Sequence, residues 1–176
     1  MIDLSARELG LLEDLAQLTI DVVQECLARA LDKVIDPGFE GAQPGADGVT
    51  LEGNLTLLKE LIRNPVDNAI NYPPSSALRP GVITARVLAD PFGKVLLLQA
   101  EDSGPGIATA DRERVFKPFY RILGTEVDGS SLGLPIVLKI ALRHGATVSL
   151  EDARPGSNPP GSRFVIRFDA NVTVPV

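Results

Sequence analysis

Between Leu11 and Val34, apolar residues recur at steps of three and four (Leu11, Leu15, Leu18, Val22, Cys26, Leu27, Ala30, Leu31, Val34). That spacing places them along one face of a helix. Glu13 and Asp14 stand near its start, where the helix dipole favours negative charge. Asp36, Pro37 and Gly38 predict its end, and a turn-rich stretch from Gly41 to Gly48 separates two short candidate strands, Phe39–Glu40 and Val49–Glu52. A second stripe (Leu57, Leu58, Leu61, Ile62, Val66, Ala69, Ile70) predicts a helix from Asn54, its cap, to Tyr72, stopped by Pro73 and Pro74. The β-rich runs Val82–Ala89 and Lys94–Glu101, on either side of Pro91 and Gly93, predict a hairpin. A third helix, Leu132–His144, closes at Gly145 and precedes strands at Thr147–Glu151 and Arg163–Phe168. This order predicts an α+β two-layer sandwich, a mixed and mostly antiparallel sheet covered on one face by three helices.

With 176 residues, 44% of them hydrophobic, the chain has material for one domain with a real core. A net charge of −6 has the wrong sign for gripping a phosphate backbone, which argues against nucleic acid as a partner. The 16 glycines and 14 prolines predict many turns. No apolar run approaches membrane-span length, and Met1-Ile2-Asp3 does not begin a signal peptide. The single cysteine, Cys26, reads as a small hydrophobe in a reducing compartment, or as a surface thiol. The single histidine, His144, stands beside Gly145 and reads as a helix C-terminal cap. One cysteine and one histidine leave no Cys/His cluster for zinc, and a Ser/His/Asp triad would have to use His144. No GxxxxGK[ST] or strand-to-helix GxGxxG motif is present, so any nucleotide site is of another kind.

Three stretches carry candidate chemistry. Glu60, Asn64 and Asn68 are spaced by four, with Asn71 three further on, giving one polar stripe along the second helix. Amide oxygens suit a magnesium ion that keeps waters and takes other oxygens from phosphates, while the same stripe also fits a solvated face. Asp102-Ser-Gly104-Pro-Gly106 follows an apolar strand, as a tight turn or as a carboxylate set to accept an exocyclic amine where glycines let the backbone approach a ligand. Gly129-Ser-Ser-Leu132-Gly133-Leu134 leads into the third helix, either as an ordinary cap or as free N–H groups facing a phosphate chain.

Taken together, these stretches resemble the ATP-binding catalytic domain of sensor histidine kinases, with its Bergerat-type fold, in the superfamily that includes gyrase-type and chaperone ATPases. Glu60-Leu-Ile-Arg-Asn64-Pro-Val-Asp-Asn68-Ala-Ile-Asn-Tyr72 looks like the N box, and Glu101-Asp102-Ser-Gly104-Pro-Gly106-Ile107 like the G1 box. Arg114-Val-Phe116-Lys-Pro-Phe119-Tyr120-Arg121 looks like the F box, and Gly129-Ser-Ser-Leu132-Gly133-Leu134 like the G2 box. The resemblance spans about residues 13 to 169, with residues 1–12 a linker or the end of an upstream segment and 13–176 the domain.

It implies Mg2+ at Asn64 and Asn68, the adenine amine at Asp102, and a pocket shaped by Gly104, Gly106 and Ile107 with Tyr72 bordering the nucleotide. Phe116 and Phe119 would anchor a lid over about residues 122–130. Arg121 and the Gly129, Leu132, Gly133 and Leu134 turn would face the phosphates, and Asn64 and Arg121 would serve the transfer directly. Glu60 reads as a solvated helix residue. The implied activity is delivery of the ATP γ-phosphate to a histidine on a separate dimerisation domain, with a response regulator as an indirect partner and no membrane contact by this segment. The implied setting is a cytoplasmic domain of an inner-membrane sensor. The alternative is a degenerate regulatory module acting by protein contact.

Departures from the pattern motivate that alternative. Pro65 stands where the family has leucine, and a mid-helix proline predicts a kink near Leu61. Asn71 replaces a lysine or arginine, and Ser131 a glycine. Pro135 falls in the first turn of the third helix, where its missing N–H is tolerated.

Overall fold

The computed structural model describes residues 11–71, 80–117 and 133–169. In chain order they form β1 (Leu12–Asp14), α1 (Leu15–Asp32), β2 (Ile35–Gly41), β3 (Thr50–Glu52), α2 (Leu55–Asn71), β4 (Gly81–Ala89), β5 (Val95–Asp102), α3 (Gly133–Arg143), β6 (Ala146–Asp152) and β7 (Ser162–Asp169). Two single 3-10 turns, Thr109–Asp111 and Arg114–Phe116, lie between β5 and α3. The main sheet has the order β2-β4-β5-β7-β6, with β2 parallel to β4 and every other pair antiparallel. The α+β sandwich with a mixed sheet is the architecture expected from the pattern.

α1 starts four residues later than the periodicity predicts. Asp14 caps it, its Oδ1 accepting from the Gln17 N–H at 2.9 Å, and a cap fixes the first turn more firmly than an apolar repeat does. The preceding residues instead pair with β3 in a small antiparallel sheet, Leu12 opposite Glu52, so ordered pairing begins one residue before the expected boundary at 12/13. Leu11 and Leu12, which matched the helical stripe, are 64% and 70% exposed. α1 ends at Asp32, ahead of the Asp36-Pro37-Gly38 stretch expected to break it, and the chain goes straight into β2 with all three of those residues in the strand. A proline is tolerated there because β2 lies at the sheet edge.

α2 is capped by Asn54, whose Oδ1 accepts from the Leu57 N–H at 3.0 Å, and it runs unbroken from Leu55 to Asn71 through Pro65. The Pro65 ring is buried towards the sheet, where it shares a small pocket with Val66, Ala85, Leu98, Ala100 and Phe164. Pro135 is the third residue of α3, inside the first turn as expected. The core lies between the helices and one sheet face, with Leu15, Val22, Leu58, Leu61, Ile62 and Ile166 fully buried. Cys26 belongs to it, as a small hydrophobe.

The opposite sheet face carries a ladder of ion pairs across all five strands. Arg86 reaches Glu40 at 2.8 Å and Glu101 at 3.3 Å, and Arg163 reaches Glu101 at 2.9 Å and Glu151 at 3.2 Å. This ladder leaves the helix-facing side of the same strands to the apolar core and to Asp102.

Candidate functional site

The polar stripe of α2 and the start of α3 meet. A Cβ built on Gly133 would lie 3.1 Å from Asn64 Oδ1, so glycine at the first residue of α3 lets the asparagine amide sit against the helix N-terminus. The Asn64 Nδ2 donates to the Glu60 carbonyl at 2.8 Å, which turns Oδ1 away from its own helix towards Gly133. A helix N-terminus in general carries the positive end of the dipole and first-turn N–H groups without partners in the helix, which favours anions. Leu134 follows in the first turn, half-buried. Asn68 is one turn beyond Asn64 on the same face and is half-buried. Glu60 is engaged by Arg63 at 2.6 Å on an exposed edge, in keeping with a solvated role.

Asp102 is the last residue of β5, on the face covered by helices. Its Oδ1 accepts from two backbone groups, the Gly104 N–H at 2.8 Å and the Ser162 N–H at 3.2 Å. Among the described residues Oδ2 takes no hydrogen bond. Burial pushes the Asp102 carboxyl above its usual range, opposed by those two N–H groups and by the charge of Arg154. A carboxylate with one oxygen fixed by the backbone and the other open is a directional acceptor for an N–H donor.

The Gly-x-Gly turn after Asp102 rests on the connection between β6 and β7. Gly161 donates from N–H to the Gly104 carbonyl at 3.0 Å. Gly106 has φ +80° and its open Cα side faces the Pro160 ring, where a Cβ would lie 2.8 Å from Cγ. Gly161 has φ +68° and a side chain there would collide with the Asp102 carbonyl oxygen. Ile107 is half-buried, and its carbonyl accepts from Arg112 Nε at 3.1 Å. Phe116 meets Phe164 edge-on with ring centroids 6.2 Å apart, a packing contact that ties this segment to β7. Gly161, Ser162, Arg112 and Asp152 were not singled out by sequence; a turn signal at Pro159-Pro160-Gly161 was the one clue.

Tyr72, Phe119, Arg121, Gly129 and Leu132, with the segment 122–130 expected as a lid and Ser131, lie outside the described residues. His144 does close α3. Its N–H donates to the Ile140 and Ala141 carbonyls, Nδ1 bonds the Ile140 carbonyl at 2.8 Å, and Nε2 accepts from the Asn54 N–H at 3.4 Å. The ring therefore joins the end of α3 to the start of α2. Among the described residues no group of three or more His, Cys, Asp or Glu side chains could hold a metal ion, and no helix is long and apolar enough to cross a membrane.

Residues 53–172 match the model of the histidine kinase-, DNA gyrase B-, and HSP90-like ATPase family. The chain belongs to that family. It is similar to the signal transduction histidine-protein kinase/phosphatase MprB of Mycobacterium sp. (strain KMS), 31% identical over 177 residues that cover 94% of this chain and 33% of the relative. It is 33% identical over 162 residues to the sensor protein QseC of Salmonella typhi, covering 89% of this chain and 32% of that protein. Among solved structures, a mycobacterial sensor histidine kinase MprB superposes with a TM-score of 0.75 at 26% identity, over 91% of this chain and 97% of that one. The chain spans about a third of the length of these curated relatives. Within this ATPase family the four boxes read from sequence all lie inside the matched span.

Proposed function

We propose that this domain binds Mg-ATP and presents the γ-phosphate to a histidine on a separate dimerisation domain, as the catalytic part of a two-component sensor. One observation carries the reading. The Asn64 amide oxygen is turned to the N-terminus of α3, and on the same helix-covered side of the sheet Asp102, at the end of β5, has one carboxylate oxygen that takes no hydrogen bond among the described residues. A base acceptor, neutral oxygen ligands and a phosphate-directed helix start are the three parts a Mg-nucleotide site requires.

The donor set fits magnesium, which prefers oxygens and retains waters. Asn64 and Asn68 would hold it, and when bound it neutralises charge on the phosphates. Asp102 Oδ2 accepts the exocyclic amine of adenine, Gly104 lets the base lie close to the backbone, and Gly106, whose Cα side is taken up by the Pro160 ring, shapes the turn beside it. Gly133, Leu134 and the first turn of α3 meet the phosphate chain. By resemblance, Tyr72, Phe119, Arg121, Gly129 and Leu132 complete the enclosure. The incoming imidazole nitrogen bonds to the γ-phosphorus as the bond to the β,γ-bridging oxygen breaks, and ADP leaves. Such a transfer depends on positioning and charge neutralisation more than on covalent help from the protein. The parent would place this domain in the cytoplasm beneath a membrane sensor and would pass its phosphate to a response regulator.

Calorimetric titration with ATP in the presence and absence of Mg2+ tests the site; saturable, metal-dependent binding is expected, and its absence favours a degenerate regulatory module. Mixing the domain with a histidine-bearing dimerisation domain and γ-labelled ATP tests the transfer, with acid-labile label on the partner as the expected product.

A further inference from the structure

The segment from Ser103 to Lys117 carries the Gly-x-Gly turn and Ile107 but contains only two single 3-10 turns, so its shape is set from outside. Arg112 supplies the link. Its Nε donates to the Ile107 carbonyl at 3.1 Å while Nη2 pairs with Asp152 Oδ1 at 2.8 Å. Asp152 is the last residue of β6, and the same Oδ1 lies 3.7 Å from a Cβ built on Gly106. Both side chains are mostly covered, with 25% and 33% exposure, so the pair is better shielded than an ordinary surface ion pair. The planar guanidinium is rigid enough to hold a carbonyl and a carboxylate at once.

We infer that Arg112 and Asp152 form a clamp that positions the Gly104–Ile107 turn for the nucleotide base, without touching the phosphates. This rests on the nucleotide reading above. The clamp holds the turn that Ser162, Gly161 and Pro160 frame together with Asp102 and Gly106, and it makes no contact with Asn64 or Gly133, the residues assigned above to the metal and the phosphates. Loss of the clamp therefore weakens recognition of the base and leaves recognition of the phosphates as it was. A merely structural role would weaken both together.

The test is calorimetry of the whole chain with Mg-ATP and, separately, with Mg-tripolyphosphate. For Arg112→Gln the ATP Kd is expected to rise about tenfold, the scale of one lost hydrogen bond to a charged group, while tripolyphosphate binding stays within about twofold by the same scale. Arg112→Lys, which keeps the charge but only one of the two links, falls between. Asp152→Asn reproduces the loss and is not additive with Arg112→Gln, as expected for one unit; it also serves if Arg112→Gln fails to fold. Unchanged ATP binding in both single variants overturns the clamp while leaving the nucleotide reading intact. Equal weakening of ATP and tripolyphosphate overturns it in favour of a structural ion pair. A wild-type chain that binds neither probe overturns the nucleotide reading, and the clamp falls with it.

Discussion

Asp102→Asn separates binding from stability, because the native carboxylate serves one at the expense of the other. The substitution keeps an oxygen for the Gly104 and Ser162 N–H groups and replaces the open Oδ2 with an NH2. An adenine amine then meets a donor instead of an acceptor. A hydrogen bond to a charged group contributes about 1.5–3 kcal/mol, and the donor now facing the amine adds to that loss. The Mg-ATP Kd should therefore rise about a hundredfold, to within a factor of a few.

The effect on the free domain has the opposite sign. Burial raises the Asp102 carboxyl above its ordinary value of 3.8. Between that value and the raised one the folded chain holds more protons than the unfolded chain, so this group favours folding most at low pH. Its contribution is lost as pH rises through the window, and at neutral pH the buried charge opposes folding. Asparagine carries no charge and should make the nucleotide-free domain more stable at pH 7; a gain of about 1 kcal/mol would raise Tm by about 2–4 °C at this chain length. The difference from wild type should disappear as pH falls below the ordinary carboxyl value. Thermal melts from pH 3 to 8 and calorimetry with Mg-ATP measure the two halves. An Asp102→Asn domain that binds ATP within about twofold of wild type, or that melts lower than wild type at pH 7, would refute the reasoning.

Val34, just past α1, has φ +57°, a left-handed conformation that a β-branched side chain adopts under strain, and it is 40% exposed; Val34→Gly should stabilise the domain by about 1 kcal/mol in chemical denaturation without changing ATP binding. His144→Ala removes the link between α3 and the Asn54 N–H and should destabilise by about 1–3 kcal/mol, yet transfer of labelled phosphate to a histidine-bearing partner should persist, since His144 is structural. Pro65→Ala restores an N–H inside α2 and should raise Tm, the gain of about 3 kcal/mol in the helix exceeding about 1–2 kcal/mol for the buried ring lost; a lower Tm would mean that the ring's packing against the sheet outweighs the helix.

The elements with long, strict periodicity were legible from the residues alone. The hairpin was placed within a residue at each end, and Asn54 was read correctly as a cap because its side chain acts within one turn of its own position. What failed depended on partners distant in sequence. Leu12–Asp14 is a strand because Thr50–Glu52 lies beside it, and no pattern within residues 11–34 encodes that pairing. Pro37 stands in a strand because β2 is an edge, a fact fixed by where β4 ends up. The site divides the same way. Asn64, Asp102 and Gly133 stand out as candidates in the sequence because their spacing is local to a helix, a turn and a helix start. Ser162 acts on Asp102 from about sixty residues away through a backbone N–H that every residue type but proline carries, and Gly161 acts through the side chain it lacks, so neither stands out in a local pattern.

That division explains where substitutions should be tolerated. At Ser162 the contact to Asp102 is a backbone N–H, so the hydroxyl can change while the hydrogen bond persists. At Gly161 it is the absence of a side chain that lets β7 approach the Asp102 carbonyl, so even alanine must displace the strand or the turn. Asn64 is constrained from both sides, since its Nδ2 is held by the Glu60 carbonyl and its Oδ1 lies against Gly133. Asn68 is held by no comparable pair of contacts among the described residues, so its placement follows from α2 as a whole. The continuity of α2 through Pro65 therefore governs the site more than the proline's own identity does: so long as the helix carries Asn68 one turn beyond Asn64, the two amides keep to one face.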